Sequence, residues 1–167
     1  MRDPDELKRL TNVFRELGAS DPEGWARSQV QEGVPQLARF LFLRQAWRGV
    51  VSADDPTWIG RMIAHAQLSP EAPYAGAGHS LKALRRRGAT DDELGELVRA
   101  MQAELLFHIA YLLDDPGDIE PAAGEVAWSL FEVDEDGQPI APVGGLHESV
   151  LETDPAGREV RPRKGAG

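Results

Sequence analysis

A chain of 167 residues, 41% hydrophobic and 28% charged, is long enough to bury a core without covalent staples. It contains no cysteine, which excludes a disulfide scaffold, a cysteine nucleophile and every thiolate metal site, and which agrees with a reducing cytoplasm. Residues 114–159 hold 13 acidic side chains and one basic one, Arg158, and so account for the net charge of −10; residues 1–113 are nearly balanced at 15 and 14. An acidic block of this kind repels phosphates, excluding nucleic acid from that surface, and attracts a basic protein or a cation.

In chain order, the first two-thirds predicts six helices. Asp3, Pro4 and Glu6 supply an N-cap, a first-turn proline and a capping box, after which Leu7, Leu10, Phe14 and Leu17 recur at helical spacing up to Gly18. A second helix starts at "SDPE", with Ser20 as cap and Glu23 three residues on; it carries Trp25 and Val30 and stops near Gly33. Pro35 opens a third, running to Val51, with Leu37, Phe40, Leu41, Trp47 and Val51 inward and Arg44 and Arg48 one turn apart. A fourth begins at Asp55-Pro56 and carries Trp58, Ile59, Met62 and Ile63. "SPEAPYAGAG", residues 69–78, reads as a Pro/Gly loop. A short helix, "HSLKALRRRG", ends at Gly88, and Thr90 with Glu93 boxes the start of the longest helix, which runs to about Leu113.

Beyond Leu113 the pattern changes. "VAWSLFEV" alternates with period two, "DEDG" offers a turn and "QPIAPV" an edge strand, where proline is tolerated. "ESVLETDPAGREVRP" reads as a second hairpin about Asp154-Pro155-Ala156-Gly157. The expectation is therefore a mainly α, single-domain fold over 1–167. It comprises a bundle of about six helices at 1–113, a small C-terminal antiparallel β-hairpin appendage in the acidic segment 114–162, and a flexible tail at 163–167. The charged N-terminal "MRDPDELKRL" lacks the apolar run of a signal peptide, and no stretch has a membrane span's length of apolar residues, so a cytoplasmic protein is expected.

Several groups bear on function. Glu104 and His108 stand four apart on the long helix, whose wheel places Leu94, Val98, Leu105, Ile109 and Leu112 on one inward face with His108 near its centre. An internal polar pair, with Arg44 or Arg48 joining Glu104, is favoured over half of a carboxylate–histidine site for a divalent metal ion. Di-iron bundles space Glu and His three apart and use the motif twice. His79 beside Ser80 follows the glycine-rich loop, but no G-x-S-x-G elbow or dinucleotide fingerprint is present. Arg85, Arg86 and Arg87 suit a helix C-terminus. Asp114 and Asp115 sit where the dipole of their own helix disfavours them, and neither acidic turn has the spacing of a calcium loop.

No complete catalytic constellation emerges. The expected function is a non-enzymatic binding protein with the physical character of an immunity protein or antitoxin, needing no cofactor. Asp114, Asp115, Glu132, Asp134, Glu135 and Asp136 would steer and hold a basic protein, and Trp128 and Phe131 would anchor it. The alternative is a metal-dependent hydrolase built on Glu104 and His108. A homodimer with the third helix as its interface is a further arrangement that the sequence allows.

Overall fold

The computed structural model describes residues 4–115 and 126–163. The protein is mainly α, with a small antiparallel sheet near its C-terminal end, as the patterning predicts. The order is α1 (Pro4–Leu17), α2 (Pro22–Glu32), α3 (Gln36–Ala46), a 3-10 turn (Trp47–Gly49), α4 (Thr57–Leu68), α5 (Ala75–Arg86) and α6 (Asp91–Asp114). Then come β1 (Phe131–Val133), β2 (Pro139–Pro142) and α7 (Leu146–Ser149). None of the described helices is long and apolar enough to cross a membrane. The proposed cap at Asp3 and the tail residues 164–167 lie outside the described residues.

The chain forms two compact units, 1–48 with 105–159, and 49–104 with 160–167. In the first, α1, α2 and α3 meet around Leu10, Phe14, Trp25, Ala26 and Phe40. The three rings pack at 5.3–5.9 Å, with Phe40 edge-on to both others, the geometry that the ring quadrupole favours. Asp21, and not Ser20, caps α2: its carboxylate accepts from the N–H of Gly24, and Gly33 closes the helix at φ +78°. The third helix stops at Ala46, five residues short of the expected end, and tightens into the 3-10 turn that sets Trp47 inward. The Trp47 indole N–H then donates to the carbonyl of Val150 and to Thr153 Oγ1, and the Trp25 indole donates to Glu152. These bonds and the fully buried Leu43, Leu146 and Val150 account for how residues 143–157 are held.

That tail is not a hairpin. It forms the single turn of α7 and then a run of turns, of which Asp154–Gly157 is the β-turn expected, with the N–H of Gly157 donating to the carbonyl of Asp154. The inward Trp47 indole N–H takes the Val150 carbonyl that strand pairing would have needed. The first hairpin is present but short. Phe131 pairs with Pro142 and Glu132 with Ala141, and the Asp134 side chain folds the turn by accepting from the N–H groups of Asp136 and Gln138.

In the second unit, α4 and α5 pack around Trp58, Ile59, Leu81 and Leu94. The expected loop at 69–78 is only half loop, since α5 begins at Ala75. Gly78 is a packing residue in that helix, where a Cβ would collide with the Met62 carbonyl and the Ala66 side chain. The Thr90–Glu93 capping box is present in both directions, and it holds the Glu93 carboxyl below its usual range.

Candidate functional site

The long helix α6 differs most from its expected role. Its buried side chains are Leu94, Arg99, Ala103, Leu106 and Ala110, so the buried side of its second half is made of Ala103, Leu106 and Ala110. The face expected to point inward is buried at Leu94 and packed at Val98 in the first half of the helix, but it is open in the second half, where Leu105 is 59% exposed, Ile109 46% and Leu112 51%. Glu104 and His108 are exposed with it. The expected internal pair is therefore a correction, because neither group is desolvated and no buried arginine completes it. Arg44 and Arg48 are themselves exposed. A helix apolar on every side leaves its own pattern unable to choose which side the small residues will bury. Here the close-packed side is the alanine side.

Among the described residues, no group of three or more histidine or carboxylate side chains could hold a metal ion. Glu104 and His108 thus have no third ligand beside them among the described residues.

Asp114 has a different role. Its side chain is nearly buried, and its Oδ2 accepts from the backbone N–H of His147 at 2.9 Å and lies 2.5 Å from the His147 Nδ1. Burial, the largest influence, acts to raise the carboxyl's pKa. The N–H groups of His147 and Leu146 and the imidazole outweigh it and carry the group below the ordinary carboxylate range. The broken dipole rule at the end of α6 has a tertiary reason: Asp114 binds the first turn of α7. The rings of Phe107 and Tyr111, two turns and one turn earlier on α6, stand edge-on to the same imidazole at 5.9 and 5.1 Å. An aspartate orienting a histidine resembles part of a catalytic triad, but among the described residues no nucleophile is bonded to the other ring nitrogen. The assembly docks α7, and sequence reading missed His147 because its partner lies 33 residues away.

The remaining acidic candidates gather on the ribbon. Within 126–143 there are four carboxylates, Glu132, Asp134, Glu135 and Asp136, and no basic residue. Asp134, Glu135 and Asp136 are exposed and Glu132 is half-buried. Trp128 is 49% exposed and Phe131 45%, and Val133 and Ile140 are also open to solvent. Trp128 is nonetheless held in place, since its indole N–H donates to the carbonyl of Leu112 at 2.6 Å. Asp115 is exposed at the end of α6. The structure thus brings Trp128, Phe131, Glu132, Asp134, Glu135 and Asp136 onto one ribbon and its approach, and turns Asp114 inward.

Of the depressions on the described surface, two hold side chains that are already engaged. One of about 140 Å³ is lined by Asp21, Trp25, Gln36, Arg39, Ser149 and Glu152. It is below the size of ordinary ligand pockets, and its polar groups are engaged, Arg39 with the Gly144 carbonyl and Trp25 with Glu152. The other, about 120 Å³, is lined in part by Arg163, which meets Asp54, Asp92, Glu96 and the Ala53 carbonyl. Arg163 is therefore tied to the second unit, although it was expected in a flexible tail. The His79 Nε2–H donates to the Pro70 carbonyl, and Arg85 forms a two-pronged pair with Asp91.

Compared with known protein families, curated proteins and solved structures, the chain matches none of them.

Proposed function

We propose that this is a non-enzymatic binding protein that docks a basic protein partner through the β1–β2 ribbon and the segment leading into it. Its physical character is that of an immunity protein or antitoxin. The observation that carries this reading is the exposure of Trp128 and Phe131 beside a turn whose charges are all negative. A half-exposed tryptophan held by a backbone bond is a preorganised anchor, since little side-chain freedom remains to be lost on binding. The surrounding carboxylates speed encounter with a positive surface and disfavour negative ones.

The roles divide among the residues. Glu135 and Asp136 steer, and Trp128 and Phe131 hold. Asp134 shapes the turn through its two backbone bonds and is a poor target for testing charge. The test begins with capture of partners at low ionic strength and measurement of the association kinetics of those identified. Glu135→Lys with Asp136→Lys should lower the association rate about tenfold and flatten its salt dependence. Trp128→Ala should chiefly raise the dissociation rate. A captured partner indifferent to both sets of substitutions would overturn the proposal.

A further inference from the structure

We infer that α6 is a self-association surface on which a second copy of this chain docks its own α6 in antiparallel orientation. This surface runs along α6 and meets the ribbon assigned to the basic partner where the Trp128 indole bonds to the Leu112 carbonyl.

The first argument is spacing. Met101, Leu105, His108 and Leu112 follow one another at intervals of four, three and four, the repeat of a helix that lies along another helix. Met101 is 62% exposed and Leu105 and Leu112 more than half, with Leu97 and Ile109 on either flank. A helix that packed only on its own chain would not keep this repeat on the side facing water. The buried side of its second half is made of Ala103, Leu106 and Ala110.

The second argument is area. Four large apolar side chains, Met101, Leu105, Ile109 and Leu112, each exposing about half its surface, make a strip of several hundred Å² per copy, within the range of the largest patch on a monomer. Pairing two such strips gives an interface near the lower end of specific association, on the order of 1,000 Å² in total. A reversible dimer at micromolar concentration is the corresponding strength.

The third argument identifies the occupant. The strip is self-complementary: about a two-fold axis midway between residues 106 and 107, Leu105 faces His108 of the second copy and Met101 faces its Leu112. Polar groups match under the same operation. Glu104 of one copy comes within a helical turn of His108 of the other, twice, and an imidazole N–H donates to a carboxylate whether or not the ring is charged. The strip itself carries no other ionisable side chain, so two copies of a protein with net charge −10 can meet on it without opposing acidic surfaces.

Sedimentation equilibrium of the full chain from about 1 to 300 µM should give a monomer–dimer equilibrium. Leu105→Asp should weaken the dimer at least tenfold with unchanged helical circular dichroism and thermal midpoint, since the side chain is exposed. The absence of cysteine makes register directly readable. Mixing Met101→Cys with Leu112→Cys proteins and a short bifunctional thiol reagent should give mainly the mixed dimer. A monomer throughout the concentration range overturns the inference, as does a dimer insensitive to Leu105→Asp. Preferential linking of Met101→Cys to itself overturns the antiparallel arrangement. None of these readouts involves the basic partner, so failure here and failure of the ribbon proposal are separable.

Discussion

Asp114 shows how a residue that is locally out of place can be correct in the folded chain. A carboxylate in the last turn of a 24-residue helix is disfavoured by that helix's own dipole, and this one is also nearly buried. The His147 N–H and ring offset both costs, which is why its carboxyl titrates below the usual range. A depressed folded value means that the stabilisation is complete above the unfolded value, near pH 4, and disappears as pH falls through the lower folded one. Asp114→Ala should cost about 1–3 kcal/mol in denaturant unfolding at neutral pH. The gap between variant and parent should narrow below about pH 4. A gap that stays constant down to pH 3 would show that the charge on Asp114 contributes nothing.

At the scale of elements, helix starts were legible and helix faces were not. The Thr90–Glu93 box, the Asp21-Pro22 start and the Asp55 bond to the N–H of Thr57 are local chemistry, complete within four residues. The glycine-rich stretch before His79 was misread as loop because a glycine does not itself say whether it frees the backbone or clears space for a neighbour. Gly78 clears space, since α5 lies against the backbone of α4 there. Gly78→Ala should therefore destabilise by about 1–3 kcal/mol through overpacking. Gly60→Ala, in α4 with nothing near its missing Cβ, should be neutral or stabilising by up to about 1 kcal/mol. Thermal unfolding of the two variants checks both, and equal behaviour would remove the close-approach argument.

For the whole molecule, charge distribution is the property that sequence and structure share most directly. The acidic block that dominates 114–159 includes the exposed ribbon, and self-repulsion is the cost of keeping a surface of one sign. Raising sodium chloride from about 10 to 500 mM should raise the melting midpoint by a few degrees, because the Debye length falls from about 30 Å to a few ångströms. A midpoint that falls with salt would mean that attractive pairs such as Arg85–Asp91 and Arg163–Glu96 outweigh the repulsion. The two compact units were not visible in advance, since each is assembled from segments distant in sequence.

By itself the sequence determined what depends on near neighbours: the mainly α class, most helix limits, the first hairpin's turn and the acidic block with its Trp128 and Phe131. The tertiary structure alone decided which side of α6 is buried, that Asp114 binds His147, and that residues 146–157 fold as a helical turn and loops held by Trp25 and Trp47. The physical reason is common to all three. A helix with apolar residues all round, a carboxylate with a choice of partners and a short alternating segment each have more than one locally acceptable state. Contacts with residues 33 to 127 positions away select among them.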